Sequence, residues 1–271
     1  MRYIRGFQFS NETTTNPNTY PYNVFKNKTG ELLVFDQGIT LLYGENGSGK
    51  STFLNLLANL LQLPGAEKVK SFDVHSDRWQ DYQQEALLLY EEDAEGHRHK
   101  ISPDSRYIKS EDILYEIKKV QQEAVLREGY RYERRRLGMT AEKAAEHLAS
   151  FRGGLMMERL AFAQEKYSNG ETSLQVFEDY LVPDSLILLD EPEISLSPEN
   201  QLKLADKINQ CAYRMNSQFV IATHSPLLLG KLEGTIYNFS KPSLVVARWQ
   251  ELPVVQLYGE FFQKRYRVDE E

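Results

Sequence analysis

The sequence has a single cysteine, Cys211, in 271 residues. It has no apolar run approaching the ~18 residues needed to span a bilayer. No apolar stretch follows the N-terminal Met1-Arg2-Tyr3-Ile4-Arg5-Gly6. One cysteine excludes an internal disulfide and suits a reducing compartment. The lack of a leader-like or spanning segment points to the cytoplasm, with any membrane role supplied by a partner. Basic residues are in deficit: 32 Lys and Arg stand against 39 Asp and Glu, a net charge of −7. That balance gives no global reason to expect nucleic-acid binding, although a local basic patch stays open. Metal-ligand spacing is also missing. His97 and His99 form an H-x-H pair with no cysteine or third histidine nearby, which reads as a solvated turn. No apolar heptad persists long enough for a coiled-coil arm. What remains is an ordinary globular composition, 41% hydrophobic and 26% charged, with material for one large domain or two small ones.

Against this background one stretch stands out: Gly44-Glu45-Asn46-Gly47-Ser48-Gly49-Lys50-Ser51-Thr52. It follows the apolar run Gly38 to Tyr43 and leads into Phe53 to Leu61, so a G-x4-G-K-S spacing sits between a strand pattern and a helix pattern. Glycines allow successive N–H groups to point inward at phosphate oxygens, and the helix N-terminus adds partial positive charge. Lys50 has the reach for β- and γ-phosphates, and the Ser51 hydroxyl can ligate Mg²⁺. The stretch predicts a nucleoside-triphosphate site.

Before the loop, residues 2–9 and 31–35 read as strands, with a long Asn-, Thr- and Pro-rich loop from Asn11 to Asn27. Tyr20, Tyr22 and Phe25 in that loop are candidates for stacking on a base, with simple packing the commoner use of such aromatics. After the loop helix, short runs at 69–74, 85–91 and 99–101 predict an antiparallel layer with a turn near Gly96. From Ile113 to about Tyr167 the pattern is helical. Arg131, Arg134, Arg135 and Arg136 are interleaved with Glu128 and Glu133, the mark of a solvated helix face rather than a phosphate-binding patch. Pro198 to Met215 predicts a helix with Leu202, Leu204, Ala205 and Ile208 on its apolar side. Thr235–Phe239 and Ser243–Ala247 predict closing strands, and Leu252–Arg267 a C-terminal helix. Strands alternating with helices around the loop predict an α/β fold with a mainly parallel core sheet.

Two buried strand patterns end in chemistry. Leu186 to Leu189 runs into Asp190 and Glu191, and Gln218 to Thr223 runs into His224. Ligands of open α/β sheets collect at the carboxyl ends of strands. Asp190 is placed to hold Mg²⁺ opposite Ser51, Glu191 to orient an attacking water, and His224 to donate to a γ-phosphate oxygen or to the water. Two adjacent acids after a strand are usually a solvated turn. Beside a phosphate loop they read as functional.

These blocks resemble ABC-type ATPases, the superfamily of transporter nucleotide-binding domains, SMC proteins and RecF-like repair ATPases. Gly44–Thr52 resembles the Walker A loop, Leu186–Glu191 the Walker B strand with its catalytic glutamate, Ile194–Ser197 the D-loop, and His224 the switch histidine. Tyr167-Ser168-Asn169-Gly170-Glu171 occupies the signature slot in an S-N-G-E form, in place of the transporters' L-S-G-G-Q. That form is similar to stand-alone bacterial ATPases often labelled AAA family but built like ABC or SMC heads. The glutamine-loop slot falls near Ser110 and Glu111, with Gln83 or Gln84 as the alternative. The resemblance implies a P-loop core over 1–109 and 182–271, and an inserted helical subdomain over 110–181 that carries the signature. It implies ATP and Mg²⁺ as ligands and hydrolysis of ATP to ADP and phosphate. It also implies an ATP-dependent homodimer in which each nucleotide meets one chain's Walker loop and the other chain's Ser168 and Gly170. A transporter subunit, or a slow switch acting on a nuclease or toxin effector, are the alternatives.

Overall fold

Continuous apolar runs of about five residues can be satisfied only where a strand is covered on both faces. Three such runs lie in the middle of a six-stranded sheet in the computed structural model, which describes residues 2–69, 77–113 and 169–268. Strands β1 (Ile4–Gln8), β2 (Leu32–Val34), β3 (Ile39–Tyr43), β4 (Leu87–Tyr90), β5 (Arg106–Lys109), β6 (Leu186–Asp190), β7 (Gln218–Ala222), β8 (Thr235–Asn238) and β9 (Val245–Val246) make two sheets. The larger has the order β5-β6-β7-β3-β8-β9. Its pairs are parallel except for β8 with β9. Every residue of β3, β6, β7 and β8 is buried.

The smaller sheet, β2-β1-β4, is antiparallel throughout. Its short strand β2 alternates, as one-sided burial requires. In β2, Leu33 is fully buried while Leu32 and Val34 are exposed. Helix α2 (Lys50–Leu60) lies between the two sheets, and Phe53, Leu54, Leu56, Leu57 and Ala58 along it are all buried. The space there is filled by rings. Phe53 meets Phe7 at 5.0 Å, and Phe9 and Phe239 at 5.5 Å between centroids. Gln218, at the start of β7 and fully buried, joins the sheets directly. Its Oε1 accepts the N–H groups of Tyr3 (2.7 Å) and Ile4 (3.1 Å), and its Nε2 donates to Ile4 O at 2.9 Å.

The other face of the large sheet carries aliphatic packing from α4 (Asn169–Tyr180), α5 (Pro198–Arg214) and α6 (Pro226–Lys231). Helix α5 starts as its sequence directs: Ser197 caps it by accepting from Asn200 N, and Pro198 takes the first helical position. Leu204, Ala205, Ile208 and Cys211 face the sheet, whereas Leu202 turns outward and is 38% exposed, contrary to the expected apolar stripe.

Other departures are local. The 11–27 loop ends in a one-turn helix, α1 (Tyr22–Phe25), with a 3-10 turn at Lys26–Lys28. Helix α3 (Arg78–Glu85), capped by Asp77, precedes β4 and carries only Trp79 and Tyr82 as buried residues, too few for an apolar period to show. The expected strand at 99–101 is irregular and follows an isolated bridge between Glu92 and Arg98. Helix α7 (Pro253–Val268) closes the described chain. The strand expected at 69–74, the Arg131–Arg136 cluster, Ser168 and most of the 113–167 helical region fall wholly or largely outside the described residues.

Candidate active site

The loop between β3 and α2 takes two left-handed turns, at Gly47 (φ +79°) and Gly49 (φ +96°). Any Cβ at Gly49 would stand 2.6 Å from Val24 Cγ1, so glycine is required by packing as well as by backbone angle. Lys50 is buried, and its ammonium donates to Gly44 O (2.7 Å) and Glu45 O (3.2 Å) and lies 2.9 Å from His224 Nε2. Burial lowers its pKa from the ordinary lysine value, while Glu191, Asp190 and Glu193 pull it back up.

Asp190 ends β6 opposite Ala222 of β7, so the residues just beyond both strands share one corner of the sheet. Its Oδ1 accepts from Ser51 Oγ at 3.1 Å and its Oδ2 from the Tyr107 hydroxyl at 3.0 Å. Burial raises the Asp190 pKa, against the lowering effect of these two hydrogen bonds. The Tyr107 hydroxyl is pushed far above its usual range by burial and by the neighbouring carboxylate. It stays protonated and donates.

Glu191 holds a left-handed backbone (φ +49°, ψ +53°). For a residue with a side chain this costs on the order of 1–3 kcal/mol and persists only where neighbours enforce it. Here the Glu191 N–H donates to Ala222 O at 2.8 Å, and its carbonyl accepts from Ser110 Oγ at 2.5 Å. The side chain is thereby turned so that Oε1 lies 3.2 Å from His224 Nε2. Burial, followed by the Lys50 charge, lowers the His224 pKa below 6.5, against the raising effect of Glu191. The lowered pKa favours the neutral imidazole, whose Nε2 stands between the Lys50 ammonium at 2.9 Å and the Glu191 carboxylate at 3.2 Å. His224 N donates to Glu193 Oε1 at 2.6 Å.

Five residues named from the sequence thus meet: Lys50, Ser51, Asp190, Glu191 and His224. Glu45 to Ser48 border a cleft of about 430 Å³, closed on its other side by Asn23, Lys26, Ser240 and Lys241. A second cleft of about 210 Å³ lies between Ser51, Asp190, Glu191 and the Ser110–Glu111 pair. Of the two glutamine-loop slots considered, Ser110 touches the site, while Gln83 and Gln84 lie on α3. Tyr22 and Phe25 belong to the core. Tyr20 is stacked on Trp79 at 5.6 Å and is 39% exposed. Gly170 lies on α4, whereas Ser168 is outside the described residues. His97 is exposed in the turn after Asp93. Sequence reasoning missed Tyr107 and Glu193. Neither lies in a spacing that marks it: Tyr107 reaches Asp190 only because β5 pairs with β6.

A glycine loop between strand and helix, with a lysine, a hydroxyl and two acids at the carboxyl edge of a parallel sheet, defines the P-loop nucleotide-binding class. Within it, a family profile described as "ABC transporter" matches residues 31–193, and the chain belongs to that family. A second profile, described as "AAA domain, putative AbiEii toxin, Type IV TA system", matches residues 158–230. The chain is 28% identical over 217 residues to the lipoprotein-releasing system ATP-binding protein LolD of Pseudoalteromonas translucida (strain TAC 125), covering 77% of this chain and 82% of that protein. Among solved structures it is similar to a nucleotide-free ATP-binding cassette from an ABC transporter, with TM-score 0.46, 14% identity, and 92% of each chain covered. It is also similar to the Smc head domain of Pyrococcus furiosus bound to the C-terminal domain of ScpA, with TM-score 0.46, 15% identity, and 98% and 100% of the two chains covered.

Proposed function

We propose that the protein binds ATP and hydrolyses it to ADP and phosphate, and that two copies sandwich two ATP molecules while driving or regulating a partner. The observation that carries this reading is the convergence of Lys50, Ser51, Asp190, Glu191 and His224 from three separate stretches of chain onto one sheet corner. Gly44 to Thr52 receives the phosphates, and Lys50 exchanges its carbonyl partners for β- and γ-phosphate oxygens. Ser51 Oγ and Asp190 Oδ1 already lie 3.1 Å apart. Paired hard oxygen donors of this kind fit Mg²⁺, which when bound neutralises charge on the β- and γ-phosphates. Glu191 orients and polarises the water whose oxygen bonds to the γ-phosphorus as the bridging bond to the β-phosphate breaks. His224 steadies the γ-phosphate oxygens.

The insert over 110–181 would supply Ser168 and Gly170 to the nucleotide held by the second copy. Mass measurement of Glu191→Gln with and without Mg-ATP tests this directly. The expected result is a shift from monomer to dimer that is lost when Ser168→Arg is added. ATP binding with no change of mass overturns the homodimer.

The match over 158–230 and the S-N-G-E signature favour a stand-alone cytoplasmic ATPase of the SMC and RecF-like branch, acting on a DNA-related or defence-related effector. The LolD relative favours a second reading, the ATP-binding subunit of a transporter. Among the described residues no helix is long and apolar enough to cross a membrane, so that reading requires a separate membrane subunit. A permease encoded beside this chain supports the transporter reading, and a nuclease or toxin supports the first.

A further inference from the structure

Beyond Thr223 the backbone of β7 leaves its ladder. Thr223 N still donates to Leu42 O at 3.1 Å, but the next two amides turn to side chains. Glu193 Oε1 accepts from His224 N at 2.6 Å and from Ser225 N at 3.1 Å. A second strut runs parallel to it. Ser225 Oγ donates to Gln201 Oε1 at 2.6 Å, and Gln201 Nε2 donates to Leu196 O at 3.1 Å. Glu193 and Leu196 both belong to the segment that follows Glu191, whose 3-10 turn spans Pro192–Ser195. The segment after the carboxylate and the turn that holds the histidine are therefore fastened together twice.

We propose that Glu193 is a positioning residue, whose carboxylate fixes the His224–Ser225 backbone so that the imidazole stands between Lys50 and Glu191. Nε2 is 2.9 Å from Lys50 Nζ and 3.2 Å from Glu191 Oε1, a placement that a small rotation of the turn destroys. Orientation errors of this size cost up to about a hundredfold in rate. Because Oε1 alone accepts both amides, one side chain fixes two successive backbone groups of the turn. The inference rests on the reading in which His224 serves ATP hydrolysis.

Three variants of the full chain, Glu193→Ala, Glu193→Asp and Glu193→Gln, separate positioning from charge and from folding. Turnover is normalised to nucleotide-binding sites, and the imidazole nitrogen shifts of His224 are followed in histidine-labelled protein. Glu193→Asp keeps the charge but withdraws it from the amides. It and Glu193→Ala are expected to lower kcat by about tenfold or more, with KM for ATP within about threefold, and to move the His224 nitrogen shifts. Glu193→Gln keeps an acceptor at the same reach and recovers most of the loss. A per-site kcat unchanged in Glu193→Asp, or unmoved His224 nitrogens, overturns the proposal. So does a Glu193→Gln variant as impaired as Glu193→Asp, which would assign the effect to charge. An inactive wild type, or a His224→Ala variant of full activity, instead defeats the hydrolysis reading, while the nitrogen shifts still report on the clamp.

Discussion

The two sheets of this molecule differ in what their strands are asked to do. The parallel sheet is covered on both sides, and its carboxyl edge delivers Asp190, Glu191 and His224 to the phosphate loop. The antiparallel sheet is covered on one side only and contributes none of those groups. Its inner face instead clamps α2 through Phe7, Phe9 and Phe53, so it holds the loop helix from behind. Chemistry gathers where strands end, and rigidity comes from where rings interlock. A lesion in one sheet should therefore read out differently from a lesion in the other.

The largest contrast is expected at the loop itself. Lys50→Ala should reduce phosphate release by about a hundredfold or more while the urea midpoint barely moves. Residual turnover near wild type would remove Lys50 from the site. Phe53→Ala should do the reverse first, costing about 3–5 kcal/mol in urea unfolding. A cost below about 1 kcal/mol would show that the ring cluster does not clamp α2. Tyr107→Phe tests the border between the sheet core and the site. It removes one donor to Asp190 and should raise the Mg²⁺ concentration for half-maximal turnover several-fold, equivalent to about 1 kcal/mol. An unchanged Mg²⁺ dependence would make that hydrogen bond irrelevant to the metal.

A smaller effect depends on pH. His224 has a folded pKa below its ordinary 6.5, so the unfolded chain takes up a proton there before the folded one does. The stability this contributes is full above about pH 6.5 and declines as pH falls below it. In His224→Gln the stability curve should be flatter in that window, and an identical slope would refute the assignment. Least of all, Leu32→Thr on the outer face of the antiparallel sheet should stay within about 0.5 kcal/mol of wild type. A large loss there would mean that this face is not simply solvated.

The same contrast governs what could be read from the chain alone. Strands β3, β6 and β7 are unbroken apolar runs that end in glycine, acid or Thr-His, and parallel pairing leaves them no other place than the core. The loop and the three end residues were legible for that reason. Helix α3 was not, because two buried aromatics in eight residues make no period. Helix α6 carries start signals in Ser225 and Pro226, but its six residues are too few to show an apolar period. Tyr107 and Glu193 were invisible on other grounds. Each acts across a gap in sequence, Tyr107 on Asp190 and Glu193 on His224, and only the strand order closes those gaps.

The Gln218 amide copies the donor and acceptor of a peptide group, and it sits on β7 while serving Tyr3 and Ile4 at the start of β1. The two sheets are thus wired into one hydrogen-bonded system. Cooperativity follows: the amides of Tyr3 and Ile4 should exchange their hydrogens with solvent at the slow pace of the central parallel strands, not at the faster pace of a frayed end. The beginning of the chain and the strand leading to His224 should therefore open together, as a single unfolding unit.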